Sequence, residues 1–184
     1  DIDWYGAGAM GTIKNVGPGE LNWFADIGLS ATHPNGNANS MGLGLMTGQV
    51  GAPEAASGKT GSAVYLGLRY DLPSKTKLGL EYNHGSKNWI TFAPAAADSW
   101  TSKLGTRGNV YEIYLIQELD KKPISSRFAK SFFRLGFQYY DFQYTGSNNW
   151  VGAPVKISDV NGQMMTTTPL SKAYNAYATF EVKF

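Results

Sequence analysis

The closing stretch of the chain, Tyr174 to Phe184, alternates without a break. Tyr174, Ala176, Ala178, Phe180, Val182 and Phe184 fall on one face, and Asn175, Tyr177, Thr179, Glu181 and Lys183 on the other. Period-two alternation predicts a strand with one apolar and one polar side. Ten steps of about 3.3 Å, tilted by about 45°, climb roughly 23 Å. That matches the apolar band, about 25 Å tall, of an outer-membrane barrel with aromatic girdles at both edges.

The same alternation recurs upstream. Asp1 to Ile13 reads as a strand whose apolar face is ambiguous. Leu21 to Thr32 alternates well, with Phe24 as an exception on the polar side. Ser62 to Leu72, then Leu78 to Asn83, Val110 to Leu119 and Phe133 to Tyr140 follow. The connections alternate in length. Those near 16–20, 73–76 and 121–130 are short, whereas 33–60, 93–108 and 146–172 are long and rich in Gly, Asn, Ala and Ser. Short turns at one end and long loops at the other are the asymmetry of an outer-membrane barrel. The predicted fold is all-β, an antiparallel transmembrane β-barrel with about 7–8 strands visible.

Seven strands conflict with the even number of single-chain bacterial barrels. Either Met41 to Val50 is an eighth strand, or residues 1–184 form the C-terminal portion of a larger barrel. The second is preferred, because Met41–Val50 is Gly-rich and counting it breaks the alternation of short and long connections. The chain starts at Asp1 without a signal-like apolar segment, which for an exported barrel predicts a mature or truncated product.

Composition narrows the classes. The longest apolar runs fall short of a spanning helix. The 22 glycines and 14% aromatic residues suit turns, strands and girdles. With no cysteine, disulfides and thiolate chemistry are excluded. A net charge of +2 gives no case for nucleic acid. Two histidines without clustered carboxylates predict no metal site, and no cofactor is indicated. His33 stands alone before Pro34, and Trp89, Trp100 and Trp150 read as girdle or loop packing. Lys121, Lys122, Arg127 and Lys130 form a basic turn that reads as a solvated periplasmic end.

Three segments carry a resemblance: EYNHGSKNW from Glu81, TSKLGTRGNVYEIY from Thr101 and FFRLGFQYYDFQYTGSNNWVGAP from Phe132. They resemble a domain-of-unknown-function family of outer-membrane, porin-like proteins from sulfur- and metal-reducing Gram-negative bacteria. Members of that family are longer, with a signal peptide and an N-terminal region ahead of this segment. The resemblance implies location and fold, and supplies no catalytic residue.

The polar faces nominate lumen-facing residues: Asp26, Arg69, Glu81, Glu112, Glu118, Arg134 and Glu181. Mirroring the strands about their turns predicts Arg69 opposite Glu81, and Glu118 opposite Arg134. Tyr174, Phe180 and Phe184 are assigned to the girdle and to a C-terminal signal read by the barrel-insertion machinery. The leading expectation is a non-enzymatic, porin-like channel for small polar solutes in a bacterial outer membrane, with outer-membrane lipid around it. A homo-oligomer or a protein partner is compatible with it. The alternative is a non-conducting barrel, acting as an anchor or as a sleeve for a partner such as an electron-transfer protein. The third is a lipid esterase built on His84 and Ser86, two apart on the apolar side of one strand. That chemistry needs a group to orient the imidazole, and the sequence assigns no acid or amide to that side nearby.

Overall fold

The computed structural model describes residues 1–95, 98–119, 130–160 and 169–183, with backbone alone at 130 and 183. Among these residues seven strands form one antiparallel sheet: β1 (Ile2–Val16), β2 (Gly19–Thr32), β3 (Thr60–Asp71), β4 (Thr76–Gly85), β5 (Gly108–Glu118), β6 (Lys130–Phe142) and β7 (Lys172–Lys183). Their order in space is their order in sequence, so β1 and β7 are the two edges. Residues 33–59, 86–107 and 143–171 join strands at one end of the sheet. Tighter connections close the β1–β2 and β3–β4 hairpins at the other. Met41 to Val50 forms no strand; it is held by isolated bridges such as Gly44 to Thr47 and Leu45 to Val151. The predicted basic cluster at Lys121, Lys122 and Arg127 lies outside the described residues, as do the side chain of Lys130 and all of Phe184.

Register turns the one-dimensional alternation into two faces. Trp23, Leu68, Leu80, Ile113, Phe137 and Ala176 pair in series across the sheet. The neighbouring series, two residues along, runs Leu21, Tyr70, Leu78, Leu115, Leu135 and Ala178. This face stays open: Leu80 is 51% and Ile113 56% exposed. The opposite face carries the charge and the amides.

The two predicted cross-strand ion pairs are not formed. Arg69 stands opposite Gly79 and Glu81 opposite Gly67. Glu118 stands opposite Phe132 and Arg134 opposite Ile116. For the first pair the cause is the geometry of the β3–β4 turn. Leu72 N–H donates to Thr76 O at 2.9 Å, and Lys75 N–H to Leu72 O at 3.0 Å with Lys75 at φ +64°. The chain therefore re-enters the ladder at Thr76, not Leu78, and the register moves by two. A shift of two keeps every side chain on its face but changes its partner. Arg69 instead grips Asp71 on its own strand, with contacts of 2.7 and 2.9 Å. Glu118 meets Lys77 at 2.5 Å.

Phe24 broke the alternation for a packing reason. Its ring lies over Gly67 and against Tyr65, centroids 4.7 Å apart. Tyr114 covers Gly79 and Tyr177 covers Gly136 in the same way. A methyl group at Gly136 would sit 2.1 Å from Tyr177 Cζ. Replacing Gly136 by valine is therefore expected to lower stability by about 1–3 kcal/mol through overpacking. Denaturant unfolding checks this, and adding Tyr177→Ala should recover part of the steric cost. Equal stabilities of wild type and Gly136→Val would show that the ring is not fixed there.

Candidate polar centre beneath an inward-folded loop

Glu81 on β4 and Glu112 on β5 pair directly across the ladder. Two like charges so placed repel. A cation resolves the conflict: Lys103, on the short 3-10 helix Lys103–Gly105 of the 86–107 loop, inserts between them. Its Nζ lies 2.5 Å from Glu81 Oε2 and 2.6 Å from Glu112 Oε2. Burial alone would pull this ammonium down, but the carboxylates of Glu81 and Glu112 hold it above the usual lysine range.

Glu112 is only 2% exposed. Its second oxygen accepts from Arg134 Nη2 at 2.7 Å and from the Tyr177 hydroxyl, and Gln138 Nε2 donates to the first at 3.1 Å. The Tyr65 hydroxyl donates to Glu81. The Arg134 guanidinium stacks 4.4 Å from the Tyr114 centroid and 5.3 Å from that of Tyr177. The rings that cover glycines thus also wall the charged centre.

The loop is fixed to this face by backbone recognition as well as by charge. Asn83 Nδ2 donates to Lys103 O at 2.6 Å, and within the loop Trp89 Nε1 donates to Leu104 O at 2.7 Å. Asp98 accepts from Lys103 N–H at 2.9 Å and from Gln138 Nε2 at 2.8 Å. Gly85 is needed because Thr106 O crosses it: a methyl group there would lie 2.1 Å from that oxygen. Between loop and sheet a cavity of about 300 Å³ is lined by Asp98, Lys103, Glu112, Arg134 and Gln138.

Arg107, 1% exposed, ties the three long loops together. It donates to Trp89 O at 2.8 Å, Thr145 O at 3.0 Å and Asn149 O at 2.5 Å, and its Nη2 lies 3.2 Å from Met46 Sδ. Burial pulls its guanidinium down to about 10, which leaves it charged at neutral pH.

All seven nominated charged residues lie on the polar face. Glu81, Glu112 and Arg134 join the Lys103 centre, Arg69 and Glu118 sit in separate ion pairs, and Asp26 and Glu181 stand apart. Lys103, Asn83, Gln138 and Tyr177 are not among the residues nominated from the sequence. Nothing local distinguishes Lys103 from any loop lysine; its partners come from the tertiary path of the loop. Tyr177 did carry a signal, an aromatic on a polar face with Gly136 available across the ladder.

On the apolar face Tyr82, Tyr111, Tyr139 and Tyr174 pair in series, with centroids 5.1, 6.1 and 5.2 Å apart. Beyond them, toward the long loops, comes a polar series: His84, Asn109, Asp141 and Lys172. Asn109 supplies the amide that the sequence had not assigned to this side. Its Oδ1 lies 2.9 Å from His84 Nδ1, and its Nδ2 is 3.2 Å from Asp141 Oδ2. Ser86, however, lies past the end of β4. Its Oγ accepts the Ser62 N–H at 2.8 Å, and its carbonyl turns away to accept from Trp89 N–H at 3.1 Å. The hydroxyl completes the ladder, and no hydrogen bond joins it to His84 among the described residues. Tyr174 and Phe180 are 60% and 53% exposed on this face. His33 meets Asp3 at 3.0 Å in an exposed pair. Among the described residues no group of His, Asp and Glu is gathered for a metal.

No curated protein matches this sequence, and no solved structure does. A family model does match, over residues 1–184, and the chain belongs to that family: protein of unknown function (DUF3373).

Proposed function

We propose that the sheet forms part of an outer-membrane β-barrel whose polar face lines a loop-constricted channel for small polar solutes. One observation carries this reading: an exposed apolar field runs without a break across β3 to β6 on one face, while Asp26, Arg69, Glu81, Glu112, Glu118, Arg134 and Glu181 all lie on the other. Leu66, Leu68, Leu78, Leu80, Ile113 and Phe137 are each 40% or more exposed and adjoin one another through the ladder. A continuous apolar field of that size is costly in water, whereas lipid solvates it. The opposite face holds ionised groups in mixed pairs, as a water-filled interior requires. The tyrosine series followed by His84, Asn109 and Asp141 suits a boundary between acyl chains and headgroups. The free edges of β1 and β7 leave room for further strands to complete closure.

The seated 86–107 loop favours a second reading, a barrel that anchors or encloses a partner without conducting, since it fills part of the polar face. Planar-bilayer recording of the full-length protein separates the two. Stable conductance steps are expected for the channel. Correctly inserted protein that stays silent would transfer the assignment to the structural barrel.

A further inference from the structure

We infer that the channel prefers small cations, and that they pass along the polar face of β1 and β2 with Asp26 as the charge that sets the preference. This rests on the channel reading above. The polar face is not uniform. Over β4 to β7 the 86–107 loop covers it, and its described charges other than Glu181 are consumed in contact pairs. Over the turn-end half of β1 and β2 it is bare: Met10 is 86% exposed and Gly8 adds no side chain, whereas at the loop end Trp4 donates to Ile90 O at 2.8 Å and Trp89 packs over Gly28. A cavity of about 280 Å³ opens along this strip, lined by Met10, Thr12, Asn22, Phe24 and Arg69 among others.

The distribution of paired and unpaired charge gives the sign. Arg69, Lys77 and Arg134, the cations of the paired polar face whose side chains are described, each contact a carboxylate. Lys103 contacts two. Asp26, Glu20 and Glu181 have no ion pair among the described residues, and Lys14, beside the β1–β2 turn, has none either, which leaves three free carboxylates against one free ammonium. Contact pairs leave little net field, so the free carboxylates dominate the potential along the path. Glu20 and Glu181 lie toward the turn end of the sheet, whereas Asp26 sits mid-strand, opposite Gly8 and Tyr65. Its carboxylate lies over Gly8, where a side chain would displace it. A mid-path charge facing a small neighbour acts on every ion that passes.

The test is the reversal potential of the full-length protein in planar bilayers under a potassium chloride gradient, for wild type, Asp26→Asn and Asp26→Lys. Circular dichroism and protease resistance after insertion confirm folding of each. Wild type is expected to select potassium over chloride, with the preference lost in Asp26→Asn and moved toward chloride in Asp26→Lys. Conductance with an unselective wild type, or with selectivity unchanged by either variant, overturns the inference and leaves the channel standing. Inserted wild-type protein without conductance overturns the channel reading, and this inference with it.

Discussion

Replacing Lys103 by methionine is expected to cost about 3–5 kcal/mol of unfolding free energy, the usual penalty for removing one partner of a buried ion pair. Methionine keeps the length of the side chain and removes the ammonium. Glu81 and Glu112 would then face each other across β4 and β5 with nothing between them. Arg134 and Tyr177 remain on the far oxygen of Glu112, and Tyr65 remains on Glu81, so neither carboxylate is wholly abandoned. The repulsion nevertheless acts inside a site where Glu112 is 2% exposed. Urea unfolding in lipid vesicles, followed by tryptophan emission, reads the loss, because Trp89 is a buried residue of the same loop and donates to Leu104 O beside Lys103. Lys103→Met with Glu112→Gln should be clearly less destabilised than the sum of the single variants, because one neutral amide removes the repulsion. The pH dependence has a definite sign. The folded value of Lys103 is raised, so its contribution is fully present below the ordinary lysine value of about 10.4 and disappears only as pH rises through the higher folded value. A loss below about 1 kcal/mol, the level of an exposed pair, would mean that the loop does not hold its seat on the sheet.

The parts of this fold that were legible in the sequence are those that depend on period two. Leu78, Leu80 and Tyr82 announce one face of β4 whatever lies beside it, because successive side chains in a strand must point to opposite sides. Pairing partners are a different matter. They depend on how many residues a turn consumes, and Lys75 in a left-handed conformation is a detail that alternation does not encode. Arg69 therefore fell on the right face and beside the wrong neighbour. Phe24 looked like an error in the pattern until Gly67 appeared across the ladder as the space for its ring.

The charged centre was harder still. Glu112 was nominated from its face alone, but its role follows from Lys103, which arrives from a loop and from a place where no periodicity operates. The same limit governed His84. Carrying the alternation on from His84 put Ser86 beside it as a nucleophile. The chain instead turns at Ser86, whose hydroxyl takes the place of a ladder carbonyl, while Asn109 from the next strand holds the imidazole. Ladder ends are where strand logic stops, because the backbone groups left over there recruit side chains.

Ile113→Arg distinguishes the two environments that the apolar face can have. Ile113 lies on β5, between Leu80 and Phe137, near the middle of the apolar field. Thr76 and Gln117 border that field at the turn end, and His84 and Asn109 at the loop end. Arginine near the midplane of a lipid-facing strand costs about 2–4 kcal/mol, falling to about 0–1 near the interfaces. The same substitution at a water-exposed position, and Ile113 is 56% exposed, stays within about ±0.5 kcal/mol. The membrane reading therefore predicts a gradient: a large loss for Ile113→Arg and a small one for Gln117→Arg at the border. Urea unfolding of each variant from lipid vesicles measures it. Near-zero losses at both positions would place this face in water, and a sheet with its apolar side in water needs another protein surface to cover it. Equal large losses at both would point to such a packed protein interface instead of lipid, because a packed contact has no depth profile. Only the graded outcome is what lipid alone produces, and it does so whether or not the barrel conducts.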